Sequence, residues 1–201
     1  MQSLGYLKES PSQTAGPYVH IGLTPNAVGI HGIYPTDLGL SPVRSGAHGT
    51  PVSITGTVRD GAGMILRDAL IESWQADADG LYPGHDPRGT ADPAVTGWAR
   101  FASDFDSGEW RLDTIKPGRA PFPDGRMMAP HIALWIVARG INLGLQTRMY
   151  FEDEDNSACP VLARIEHRDR VQTLIAKRSG PGAYRFDIVL QGNGETVFFD
   201  M

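Results

Sequence analysis

Few side chains in this chain are arranged for familiar catalysis. No Gly-x-Ser-x-Gly elbow occurs, and the single cysteine, Cys159, stands beside a proline in what reads as packing context. Phosphate-cradling glycine motifs are absent, because the Gly-rich stretches join strand patterns to strand patterns. The acidic pairs Asp77/Asp79 and Asp104/Asp106 fall in turn positions, where Asp is expected for backbone reasons. The six histidines are His20, His31, His48, His85, His131 and His167, with no His-x-His or His-x-x-x-His pair among them. From composition alone, His131 at the start of a strand reads as a hydrogen-bonded core residue. Arg139 at the end of the same strand reads as a surface cation.

The elements that must position these groups run from Gly108 to Phe151. An alternating strand, 109–115, leads into a Pro/Gly-rich excursion, 116–130. A strand apolar on both faces, HIALWIVA, follows, and then a second alternating strand, 145–151. An excursion of that length between two good strands is uncommon and often functional. Further strands are expected at 52–58, 69–76, 183–190 and 195–199, and 98–101 with 109–115 reads as a hairpin across Asp104–Gly108. Cys159 to Glu166 suits a short helix, 171–178 has helix-like spacing, and Glu152–Asp155 reads as a solvated turn. Residues 1–17 form a polar, breaker-rich arm with a rigid Thr14–Tyr18 turn, and 21–50 a covering segment without clear period.

These patterns predict an all-β fold, an antiparallel or mixed β-sandwich with long loops and one or two short helices, as a single domain over residues 1–201. Twenty-four glycines and fifteen prolines with 41% hydrophobic residues favour many short strands over disorder. A net charge of −5 with no basic run argues against a nucleic-acid surface. A lone cysteine, no apolar leader and no 18-residue apolar run suit a soluble cytoplasmic protein with no membrane partner.

The segments QTAGPYVH, ESWQADADGLY, DSGEWRLDTIKPG, MAPHIALWIVARGIN, TRMYFEDE and KRSGPGAYRFDIVLQGNGETVFFD, in that order along nearly the whole chain, resemble the intradiol ring-cleaving dioxygenases. The resemblance implies a non-haem ferric ion held by two tyrosines and two histidines. It also implies a catechol substrate opened by O2 between its hydroxylated carbons; protocatechuate, a carboxylated catechol, gives 3-carboxy-cis,cis-muconate. A hard ferric ion favours anionic oxygen donors and lowers a phenol's pKa from about 10.

Carried over position by position, the ligand set is incomplete. The first tyrosine falls on Tyr82, the second on Ala120, and the His-x-His on His131 and Ala133. Alanine has no donor atom, so the resemblance implies no iron here. It points instead to an α-type chain, inactive alone, whose related β chain binds Fe(III) at a site near the α–β interface. The implied contribution to the substrate pocket is Thr14, Gly16, Pro17, Tyr18 and Arg139. An extended strand sets Arg139 about 26 Å from His131, so that arginine serves a different site, and a guanidinium suits a substrate carboxylate. Two other readings remain at this stage. One is a self-sufficient metalloenzyme recruiting another ligand, for example His85 near Tyr82. The other is a β-sandwich binding module with no catalytic role.

Overall fold

The computed structural model describes residues 14–84, 86–142 and 144–200. Nine strands follow in chain order: β1 Pro51–Arg59, β2 Leu70–Trp74, β3 Trp98–Ala102, β4 Glu109–Ile115, β5 His131–Val137, β6 Leu145–Phe151, β7 Ile175–Gly180, β8 Ala183–Arg185 and β9 Ile188–Val189. They are hydrogen-bonded in the order β3-β2-β5-β6-β7-β8-β1-β4, with β9 added to β1. Most pairings are antiparallel, while β6/β7, β1/β8 and β1/β9 are parallel, so the architecture is mixed.

Alternation explains how this sheet folds into a sandwich. In β4 Glu109, Arg111 and Asp113 are exposed, and Trp110, Leu112 and Thr114 are buried. In β5 the even positions, Ile132, Leu134 and Ile136, face the main core with Ile54, Val58 and Ile71 from the other strands. Each such aliphatic contributes about 1.5–3 kcal/mol on full burial. The other face of β5 carries His131, Ala133 and Trp135. Its His131 end is buried beside a second apolar cluster built from the 116–130 excursion and residues 159–175, while Ala133 is half-buried and Trp135 exposed.

Several boundaries depart from the sequence pattern. Residues 98–101 and 109–115 do not pair as a hairpin: β3 pairs with β2 and β4 with β1, so the turn at 104–108 carries the chain between the two ends of the sheet. The helix-like stretch 171–178 splits into the end of a 3-10 segment, Arg168–Leu174, and strand β7, because Ile175 and Ala176 pair with Tyr150 and Phe151. The expected strand 183–190 is interrupted at Phe186–Asp187, where Asp187 turns its carboxylate onto the Thr57 N–H and hydroxyl at 2.8 and 2.9 Å. Residues 195–199 form no strand and are held by single bonds, Thr196 N–H to Val189 O and Phe199 N–H to Gln146 O.

The short helix expected at 159–166 reduces to a 3-10 turn, Leu162–Arg164. Glu152–Asp155 is a turn, though more than a solvated one. Asp153 and Glu154 hold Lys116 at 3.0 and 2.9 Å, which ties the start of the excursion to the end of β6. A helix that the reading by period missed, α1 Pro17–Leu23, follows the Thr14–Gly16 turn. The described part of the covering segment lies along edge strand β3, with Arg100 N–H donating to Gly39 O and Thr96 N–H to Pro42 O.

At one place the sandwich closes too tightly for a side chain. A Cβ on Gly56 of β1 would stand 1.8 Å from the Phe186 carbonyl oxygen and 2.6 Å from the Trp110 ring. Gly56→Ala should therefore destabilise the fold by about 2 kcal/mol or more, measured by denaturant melts; an unchanged midpoint would contradict this packing.

Candidate functional site

The two ends of β5 carry two different clusters. At the N-terminal end, His131 is 5% exposed and its Nδ1 lies 2.8 Å from the Ala129 carbonyl oxygen. That bond assigns the proton to Nδ1 and leaves Nε2 as an acceptor. Arg148 supplies the donor, its Nη1 standing 3.3 Å from Nε2 and 3.2 Å from Met128 Sδ. The ring stacks on Tyr150, its partner across β5/β6, at 5.5 Å. Burial, helped by the neighbouring guanidinium, lowers the His131 pKa to about 4.

The same register forms a second row on this face: Trp74 of β2 lies opposite Ala133 of β5, and Ala133 opposite Arg148 of β6. Tyr82 stacks nearly parallel on Trp74, 6.1 Å between ring centroids. Its loop is fixed by buried Asp77, which accepts N–H bonds from Asp79, Leu81 and Asp92 at 2.8–3.0 Å. Gly80 completes the turn at φ +79°, where a Cβ would lie 2.0 Å from the Arg119 carbonyl oxygen. Ala120 is buried in the excursion, and its carbonyl accepts the Met128 N–H at 2.8 Å.

Tyr82 and Ala120 pack with the second apolar cluster, whose Tyr150 stacks on His131, and Ala133 lies two residues along β5, yet the donor set of these four positions does not fit iron. Two of the four positions present a methyl group. Burial pushes the Tyr82 phenol pKa up, against the tyrosinate that a ferric ion would need, with the Arg148 charge as the largest opposing influence. Among the described residues, no three His, Cys, Asp or Glu side chains gather as a metal cluster. His85, the alternative ligand suggested by sequence, lies outside the described residues. Cys159 is buried with Sγ 3.8 Å from the Tyr150 hydroxyl, in packing context.

The C-terminal end of β5 assembles the other set. The Thr14 hydroxyl donates to the Ala138 carbonyl at 3.3 Å and accepts the Gly140 N–H at 2.8 Å, so the turn before α1 is docked on both sides of Arg139. Gly16 caps α1, Pro17 opens it, and Tyr18 is 85% exposed. Arg139 is 71% exposed, and its Nε meets Asp68 Oδ2 at 2.5 Å. Its two terminal nitrogens make no hydrogen bond among the described residues. Asp68 is fixed in turn by His20 of α1, whose Nε2 lies 2.9 Å from the Asp68 carbonyl oxygen. An open groove of about 600 Å³ runs beside Arg139, bordered by Asp60, Leu66, Leu145 and Gln191.

Sequence reasoning named Arg139 and Thr14 but missed Asp68, His20 and Arg148. Pro17 as a helix-opening residue before an apolar run was the available signal for α1, and hence for His20. Arg148 becomes visible only through cross-strand register.

A family profile described as "Dioxygenase" matches residues 36–192. The chain is 48% identical to the protocatechuate 3,4-dioxygenase alpha chain of Pseudomonas putida, covering 96% of this chain and 97% of that one. It is 31% identical to the protocatechuate 3,4-dioxygenase beta chain of Burkholderia cepacia, over 80% of this chain and 73% of that one. Among solved structures, 3-chlorocatechol 1,2-dioxygenase from Rhodococcus opacus 1CP superposes with a TM-score of 0.56 at 22% identity, covering 74% of this chain and 63% of that one, a likeness of fold.

The buried His131 has a consequence for acid stability. An unfolded imidazole titrates near 6.5 and the folded one near 4, so between those values the unfolded state binds more protons and stability falls as pH drops. The loss should reach about 3 kcal/mol by pH 4. Chemical denaturation of the wild type and His131→Gln from pH 7 to 4 checks it: the two stabilities should converge on acidification, and parallel profiles would contradict a buried neutral His131.

Proposed function

This chain belongs to the intradiol ring-cleaving dioxygenases, and on that premise we propose that it is the α subunit of a protocatechuate 3,4-dioxygenase, paired with a related β chain. The assembly opens protocatechuate with O2 to 3-carboxy-cis,cis-muconate. The family depends on non-haem iron; in this reading Fe(III) belongs to the β chain, and the α chain shapes the substrate pocket beside it. The α chain is read as a single β-sandwich domain over residues 1–201, cytoplasmic, and inactive without its partner. No helix among the described residues is long and apolar enough to cross a membrane.

The observation that carries this reading is the docking of Thr14 onto Ala138 and Gly140. It sets Thr14 on both sides of Arg139, with Gly16, Pro17 and Tyr18 following in the chain, at the opposite end of β5 from His131. An exposed arginine, ion-paired through Nε and with no hydrogen bond to its terminal nitrogens among the described residues, suits a carboxylate taken in a fork. A carboxylated catechol supplies that group. The remaining family pocket of this chain is too distant to share it, so the recipient is a neighbouring chain's site. The Asp68 carboxylate positions the guanidinium, and His20 links that carboxylate's backbone to α1.

In the αβ complex, Arg139→Ala should raise KM for protocatechuate by roughly tenfold to a hundredfold, the usual worth of a hydrogen-bonded charge contact. Catechol itself should be turned over as before, and iron content should not change. A fall in iron, or an equal loss on both substrates, would contradict the assignment. Asp68→Asn should give a smaller rise of the same kind, several-fold, read by steady-state O2 uptake with both substrates; an unchanged KM would remove Asp68 from the positioning of Arg139.

A further inference from the structure

Resting on the reading that this chain does not hold the iron, we infer that Arg148 is the resident cation at His131, and that its guanidinium excludes iron even where ligands are supplied. The loss of two donors would by itself leave a half-built metal site. Instead, the lone pair of the remaining histidine already meets a positive charge.

His131 is still presented as a metal-binding histidine would be. Its Nδ1–H is held by a backbone carbonyl at 2.8 Å, the support that fixes ring orientation in metal sites and directs the other lone pair outward. That Nε2 lone pair is the one met by Arg148 Nη1 at 3.3 Å. A guanidinium has donors only, so a metal ion and Arg148 cannot use Nε2 together.

The register explains why the guanidinium reaches this place. Ala133 lies directly between Trp74 and Arg148 across three strands, and its methyl leaves a lane over β5 that a larger side chain would fill. Arg148 turns along this lane toward residue 131, also touching Met128 Sδ at 3.2 Å, while its guanidinium carbon lies 6.0 Å from the Phe199 ring centroid. Among the described residues no carboxylate pairs with Arg148. A trivalent ion placed beside it would therefore face an uncompensated like charge in a partly buried setting, where repulsion is poorly screened. A cavity of about 440 Å³, lined by Arg148, Phe122, Arg164 and Phe199, opens on the far side of Arg148 from the buried His131 ring, so the guanidinium stands between that opening and Nε2.

The test uses the αβ complex and compares wild type, Ala120→Tyr/Ala133→His, and the same pair with Arg148→Gln, a neutral side chain that keeps an N–H donor. Iron per αβ pair is measured by elemental analysis, alongside the visible tyrosinate-to-iron(III) charge-transfer absorption. The ligand pair alone should leave iron at the wild-type level of one per pair. Adding Arg148→Gln should bring a second iron and a matching gain in visible absorption. A second iron in both variants, or in neither, overturns the inference. Two irons in the wild type would instead overturn the reading that this chain lacks the metal. Should the variants fail to assemble, the wild-type complex decides by 15N NMR of labelled His131. A neutral ring protonated at Nδ1 is expected, and a proton on Nε2 overturns the contact with Arg148.

Discussion

Strand β5 is extended over seven residues with its even side chains locked into the main core, so its two ends cannot bend toward each other. At about 3.3 Å per residue the strand holds Arg139 more than 20 Å from His131. Each end is then fixed separately. The His131 end is closed under the excursion and the 159–175 segment, and the Arg139 end is dressed by the Thr14 turn and α1. One rigid strand thus presents an inward family pocket and an outward cationic fork, and the two cannot act on one ligand. The proposed division of labour between two related chains rests on that separation.

The His131 end is held by hydrogen bonds that need no metal. Asp77 organises the Tyr82 loop, and the Ala129 carbonyl orients His131. Where a metal ion would take the imidazole lone pair, the Arg148 guanidinium meets it, and the Tyr150 ring stacks on the imidazole. Burial acts in the same direction, holding His131 neutral and raising the Tyr82 phenol. Such a site can persist because a histidine with both nitrogens hydrogen-bonded satisfies the core without a metal.

Much of this was legible in the sequence. Clean alternation at 109–115 and 145–151, and the apolar run opened by His131, located three strands whose observed bounds agree within a residue or so. The absent donors at Ala120 and Ala133 needed no structure to interpret. What escaped was set by long-range pairing. A turn of hairpin type at 104–108 looks the same whether its flanking strands pair with each other or with β2 and β1. Ile175 and Ala176 continue a helical spacing until β6 offers them a parallel edge. Arg148 reads as one outward residue of an alternating strand, and its meaning depends on Ala133 lying opposite. The Asp68 and His20 support of Arg139 joins positions 48 and 71 residues apart, with no local pattern to announce it.

The central claim is that this chain completes a neighbour's site and holds no iron itself. The most direct measurement is iron content and protocatechuate-dependent O2 uptake of each chain purified separately, and then of the two mixed. The account predicts no bound iron and no uptake for this chain alone, iron in the β chain, and full uptake only after mixing. Stoichiometric iron with O2 uptake in this chain alone would contradict it.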